Sequence, residues 1–243
     1  MKLGVVLRRE LQGYFATPIA YVFIFIFLVL SGVFTFYLGN LYERQQADLV
    51  PFFSFHPWLY LFLVPAISMR IWSEERRSGT LELLMTLPLS RIDIILGKFL
   101  AAWFFAGLAL LLTFPLWMTV NYLGDPDNGV ILASYLGSWL MAGAFLAIGS
   151  CMSALTRSQV IAFVLSGFVS LLFVMAGFPL VLDMFKGWVP LIVLDAVSNL
   201  SFLTHFNAIS RGVLSLHDLL FFLSLIVAWL IATSIVLDIK KGD

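Results

Sequence analysis

The chain has 243 residues, of which 61% are hydrophobic and only 12% charged, with 14 basic and 14 acidic residues in balance. A soluble domain of this length carries far more polar surface, so the composition indicates a polytopic membrane protein. Zero net charge argues against a nucleic-acid partner, which needs clustered Lys and Arg, and a lone cysteine, Cys151, leaves no internal disulfide or cysteine metal site.

The first predicted element is an amphipathic helix within residues 1–17, lying in the membrane interface. Leu3, Val6, Leu7, Leu11, Tyr14 and Phe15 recur at helical spacing, with Arg8, Arg9, Glu10 and Gln12 mostly on another face. Its charges lie too deep, and the apolar run after it is too long, for a cleaved signal peptide. A spanning helix needs about 20 apolar residues. Six segments meet that length: Ile19–Leu38, Phe53–Ile71, Lys98–Tyr122, Ile131–Leu155, Val160–Leu182 and Leu219–Val236. The expected fold is therefore all-α, one membrane domain over 1–243 with six transmembrane helices. Pro18 falls where the first span begins, and Pro57 and Pro65 predict a kinked second span. Between spans five and six, over 186–212, the runs Val189–Leu194 and Leu200–Leu203 are each too short to cross and read as interfacial or re-entrant outer helices.

Basic residues set the orientation. Lys2, Arg8 and Arg9 precede span one, and Arg70, Arg76, Arg77, Arg91 and Lys98 flank the loop after span two. Arg157 lies between spans four and five, and Lys240 and Lys241 follow span six. Only Arg44, Lys186 and Arg211 fall on the other side, so the positive-inside rule places both termini in the cytoplasm.

The densest charge is in the loop at 74–91. Glu74, Glu75, Arg76 and Arg77 extend span two into water, and Gly79 to Pro88 reads as a short helix. Ser78 or Thr80 caps its start, Glu82 suits its first turn, Pro88 ends it, and Leu81, Leu84 and Met85 form one apolar face. A rigid amphipathic piece between two spans suits contact with a soluble partner.

Other chemistry finds little support. Residues 11–42, 99–124, 128–156, 158–182 and 219–237 contain no Asp, Glu, Lys, Arg or His, which disfavours a proton relay through the spans. His56 is expected to cap the second span at the interface. His205, with Asp183 or Asp195 and Ser201, is conceivable as a hydrolytic set. No Gly-x-Ser-x-Gly or His-Glu-x-x-His motif supports it, so solvated loop residues or helix caps are expected there. Gly97-Lys98 lacks the preceding Gly-x-x-x-x pattern of a phosphate loop, so any ATPase must be a separate subunit. Cys151 reads as a small packing residue, and Gly143, Ala147, Gly149 and Ser153 suit close helix packing, chiefly within the chain.

Glu75-Arg76-Arg77-Ser78-Gly79-Thr80-Leu81-Glu82, Pro88-Leu89-Ser90-Arg91 and Gly97-Lys98 follow one another here. In this the chain resembles the ABC-2-type permeases of ATP-binding cassette transporters, whose first cytoplasmic loop carries Gly-Thr-Leu-Glu, a Pro-Leu/Val-Ser turn and Gly-Lys. Phe202 to Phe206, Arg211 to Leu214, and Asp218-Leu219 look most like the gliding-motility-associated (GldF-type) branch. The resemblance implies a subunit with no ATPase site of its own and no cofactor, ATP and Mg being bound by cytoplasmic ABC ATPase subunits. It implies that Glu74, Glu75, Arg76, Arg77, Gly79, Thr80, Leu81, Glu82, Leu84 and Pro88 dock on that ATPase. A second permease half, as homo- or heterodimer, and a bacterial inner-membrane location are implied too. The alternative it carries is a non-transporting subunit that drives a partner with a large extracytoplasmic domain.

Overall fold

The computed structural model describes residues 2–81, 90–185 and 190–240, and the regular structure among them is helical throughout. Helix α1 (Lys2–Phe15) leads into α2 (Pro18–Val33), which a π-helical stretch extends over Phe34–Leu38. Pro18 sits in the first turn of α2, where a missing N–H leaves no hydrogen bond unmade. Then come α3 (Val50–Ser54), α4 (His56–Ser68) and α5 (Arg70–Ser78). They are followed by α6 (Arg91–Leu111), α7 (Phe114–Leu123) and α8 (Asn128–Leu155). The chain continues through α9 (Gln159–Met175), α10 (Pro179–Phe185), α11 (Leu191–Ser198), α12 (Phe202–Ser210) and α13 (Leu216–Ile239).

Short polar side chains fix several of these starts. Ser90, Asp127, Ser158, Ser201 and Ser215 each accept a backbone N–H from the first turn of the helix they precede. By length and composition, four described helices can cross a membrane: Pro18–Leu38, Arg91–Leu123, Asn128–Leu155 and Leu216–Ile239. Two bent pairs raise the number to six if each is one span, Gln159–Met175 with Pro179–Phe185 (72°) and Leu191–Ser198 with Phe202–Ser210 (63°). The molecule is a polytopic membrane protein.

The segment 53–71, expected as a single kinked span, is broken into three pieces. Its longest piece, α4, has 13 residues and so runs about 20 Å at the usual helical rise, well short of a ~30 Å hydrocarbon core. Pro65 lies inside α4, and Met69 stands between α4 and α5.

The long helix α8 is the axis of the bundle, and α4, α5, α6, α9, α12 and α13 all pack on it. Its small residues make this arrangement fit. A Cβ at Gly149 would lie 1.9 Å from Ser68 Oγ of α4, so the two helices meet at the glycine itself. Cys151 is buried on α8 among apolar neighbours.

Two histidines differ from expectation. His56 does not cap at a wet interface: it is fully buried among Phe27, Phe52, Phe53 and Tyr60, and its Nδ1 meets Ser138 Oγ at 2.7 Å. Nor is His205 a solvated loop residue. It is buried against Phe221 and pairs through Nδ1 with Asp218 Oδ1 at 2.6 Å, not with Asp183 or Asp195. Ser201 instead serves as the N-cap of α12. The aromatic surroundings pull these rings out of water, and hydrogen bonding to α8 and α13 is what makes their burial tolerable.

Candidate functional site

The charged segment after α4 is a helix, α5, with two unlike faces. On its inner face Ile71, Trp72 and Ser73 are buried, and α8 supplies polar partners for them. Trp72 Nε1 donates to Ser150 Oγ at 2.9 Å. The backbone N–H groups of Trp72 and Ser73 donate to Ser153 Oγ at 3.1 and 3.0 Å, and that hydroxyl donates to the carbonyl of Met69 at 2.9 Å. Ser153 thus inserts into the backbone bond that would join Ser73 to Met69, one of the recognised causes of a sharp helix break. Two of the first-turn N–H groups of α5, those of Trp72 and Ser73, are thus satisfied by one atom of α8.

Arg76 also turns inward. Its Nη1 donates to the carbonyl of Ala154 at 2.7 Å, where α8 ends at Leu155 and leaves its last carbonyls without helical partners. Glu75 points to the other neighbour. Its Oε1 lies 2.7 Å from Lys98 Nζ of α6, which also reaches Glu10 Oε2 of α1 at 3.3 Å. Arg9 closes this chain on Glu10 at 2.8 Å. Lys98 is only 5% exposed, so its charge depends on both carboxylates. Burial raises the Glu75 carboxyl above the ordinary carboxylate range, and the Lys98 ammonium opposes that rise.

The outer face presents Glu74, Arg77, Ser78, Gly79 and Thr80 to solvent. Glu74 is held by Arg70 one turn back, with N–O distances of 3.0 and 3.3 Å. Gly79 ends α5 in the left-handed region at φ 71°, a conformation glycine adopts without penalty. Ser78 Oγ donates to Glu74 O at this helix end and lies 2.8 Å from Thr80 Oγ1; the helix expected over Gly79 to Pro88 lies mostly outside the described residues. Thr80 and the buried Leu81 are already helical again. Glu82, Leu84 and Pro88 lie outside the described residues. On the far side of them, Ser90 caps α6, and Arg91 forms an ion pair with Asp238 near the end of α13.

The ten residues singled out in the sequence therefore divide. Glu75 and Arg76 are anchors to the bundle, while Glu74, Arg77, Gly79 and Thr80 form the exposed face. Sequence reasoning missed Lys98 with Glu10 as partners of Glu75, and Ser150 with Ser153 as partners of α5. A lone Lys at the edge of an apolar run, with a lone Glu in the interfacial helix, was the available signal for the first set. Among the described residues, no three His, Cys, Asp or Glu side chains converge as metal ligands would.

A family model for ABC-2 family transporter proteins matches residues 5–241, nearly the whole chain. The chain belongs to the ABC-2 transporter family. No curated protein matches it significantly. Membership makes it the membrane subunit of an ABC-type transporter, in keeping with its helices. The Gly97-Lys98 pair quoted for the resemblance has a visible structural use in this ABC-2 protein. A Cβ at Gly97 would lie 2.6 Å from Val6 Cγ1, so the glycine lets α1 lie against α6 and brings Glu10 within reach of Lys98.

Proposed function

We propose that this ABC-2 protein couples a separate cytoplasmic ATPase to movement of its own spans, with the exposed face of α5 and the residues after it as the docking surface. One observation carries the reading: the face of α5 opposite Glu74, Arg77, Gly79 and Thr80 is fixed at once to α8 through Ser150, Ser153 and Arg76, and to α6 and α1 through Glu75, Lys98 and Glu10. A push on the exposed face is then a push on three other helices, a conformational step rather than chemistry in this chain. Glu82, Leu84 and Pro88 are assigned to the same surface on the strength of the family motif.

The remaining assignments follow from that one. Both termini and the docking surface are cytoplasmic and the membrane is the bacterial inner membrane. The basic-residue distribution supports this, as does the Arg91–Asp238 pair, which sets the start of α6 beside the end of α13. A second permease half completes the translocation unit, and ATP with Mg is bound by the ATPase subunits. A second reading, in which the complex drives an extracytoplasmic partner of the gliding-motility type, draws support from the outer helices. His205 ties α12 to α13 through Asp218, and reaches the Asn199 carbonyl at the end of α11 at 2.9 Å, which makes a firm handle.

The test is co-purification and stimulation of the ATPase by Gly79→Pro and Arg77→Glu variants, with Glu82→Arg beside them. Proline cannot adopt φ near +71°, so Gly79→Pro redirects the chain at the docking surface. All three should bind or stimulate the ATPase at least tenfold more weakly, about 1.4 kcal/mol of lost contact, while their thermal unfolding in detergent stays close to that of the parent. Normal stimulation by all three would overturn the docking assignment.

A further inference from the structure

A groove of about 510 Å³ runs between α8 and the α6–α7 pair, and it shares no residue with the docking surface. Its aromatic lining comes from both walls, Phe104, Phe114 and Trp117 on one and Tyr135 and Trp139 on the other. Each polar tip among these rings is already engaged within the chain. Trp103 and Trp139 stack at 4.4 Å, and each indole donates to the other's carbonyl, at 2.8 and 3.3 Å. The Tyr135 hydroxyl lies 2.9 Å from Thr113 Oγ1, and Trp117 Nε1 donates to Asn128 Oδ1 at 2.7 Å. A Cβ at Gly107 would lie 2.7 Å from Trp139 Nε1, so the glycine leaves room for that ring against α6. The rings are therefore fixed in place, and what they offer an occupant is flat apolar surface. A preformed site of this kind orders few side chains when it fills.

Dimensions and setting select the occupant. The mouth lies by the α7–α8 turn, where Asn121, Asp125, Asp127 and Asn128 are exposed and mark the edge of the apolar zone. Trp139, backed by Trp103, closes the deep end. From Asn128 to Trp139 α8 advances about 16 Å, close to half of a ~30 Å hydrocarbon core. Leu111, Leu132 and Leu136 line the groove and are exposed, so it opens onto the surface that faces lipid. A transmembrane helix does not fit, because it is about 10 Å across and a length of about 16 Å takes roughly 1,250 Å³. A single hydrocarbon chain, far thinner, does.

We infer that the groove is a binding site for one acyl chain of a membrane phospholipid, entering at the α7–α8 turn and ending against Trp139. Water has no free side-chain partner on these rings to hold it. In hydrocarbon the gain comes from dispersion contact with fixed rings rather than from the hydrophobic effect. The headgroup takes no part, since Asn121 and Asn128 at the mouth bond each other and Trp117.

Photolabelling of the full chain in phosphatidylcholine vesicles tests this, using a palmitoyl lipid with a diazirine at the end of the chain. Label should collect at Phe104 and Trp139 about tenfold above Phe25 and Val29, which are exposed near the middle of Pro18–Leu38. Leu136→Trp fills the groove from α8, and Leu111→Trp fills it from α6. Either should cut the label at Phe104 and Trp139 about tenfold, with the label at Phe25 and Val29 and the thermal unfolding as in the parent. Replacing choline by ethanolamine or glycerol should leave the pattern unchanged. Equal labelling of the groove and of α2 would reduce the site to ordinary bilayer contact and overturn the proposal, as would groove labelling that both variants retain. Cross-linking of the groove to a second copy of this chain would put an interface in place of the acyl chain and overturn it too.

Discussion

Arg76 Nη1 donates to the carbonyl of Ala154 at 2.7 Å, so a residue of the charged helix closes the end of the longest helix in the molecule. The contact spans 78 residues of sequence and joins a cation to the negative end of a helix dipole, where a favourable effect is expected. Arg76→Ala should lower stability by about 1–3 kcal/mol, the range for hydrogen bonds from charged groups. Arg76→Lys should recover only part of it, since an ammonium lacks the planar fork of donors. Thermal unfolding in detergent checks both, and an Arg76→Ala protein as stable as the parent would refute the capping role.

Lys98 sits between two carboxylates with little access to water. Lys98→Met leaves Glu75 without its counter-charge and Glu10 with Arg9 alone, and removing one partner of a buried pair costs about 3–5 kcal/mol. The double variant Lys98→Met with Glu75→Gln should regain most of that loss. A double variant no better than Lys98→Met alone would show that the lysine acts through its packing on Trp72, whose ring centroid lies 5.5 Å from Nζ.

Glu75 also sets a pH dependence. Burial raises its pKa above the reference value of 4.5, so the folded protein holds the proton more tightly than the unfolded chain. The resulting stabilisation is complete below the unfolded pKa and is lost as pH climbs from about 4.5 through the folded pKa. Unfolding temperatures across this window should fall more steeply with pH for the parent than for Glu75→Gln. Parallel curves for the two proteins would contradict the assignment.

His205 lies between two oxygens, Asp218 Oδ1 at 2.6 Å from its Nδ1 and the Asn199 carbonyl at 2.9 Å from its Nε2. Asp218 is further held by Ser215, which donates to Oδ2 at 2.5 Å. His205→Gln and Asp218→Asn should each destabilise by about 3–5 kcal/mol, with a double-mutant-cycle coupling above 1 kcal/mol. Hydrogen exchange at residues 199–218 reports the same loss locally, and additive effects of the two substitutions would argue against a clasp.

What could be read in the sequence was one-dimensional. The charge-free runs placed most of the spanning helices, the capping serines lie at their starts, and Pro57 with Pro65 marked the irregular span. The double-faced character of α5 was not readable, because its inner partners Ser150, Ser153 and Lys98 lie far along the chain and two of them look like ordinary packing residues. The same holds for His205. Its eventual partner, Asp218, follows a serine at cap spacing, so its capping role competed with any pairing role, and only tertiary packing decides that it fills both. Helix α4 shows the opposite error, since apolar length alone suggested a continuous span where Ser153 interrupts the backbone.

The insertion made by Ser153 has a consequence for how the protein is built. The amides of Trp72 and Ser73 take their hydrogen bonds from a hydroxyl 80 or more positions later in the chain. Synthesis runs from the N-terminus, so until α8 follows these amides can close the ordinary helical bonds to Ser68 and Met69. The break between α4 and α5 is therefore a product of tertiary assembly: a single serine, arriving late in the chain, opens the helix there.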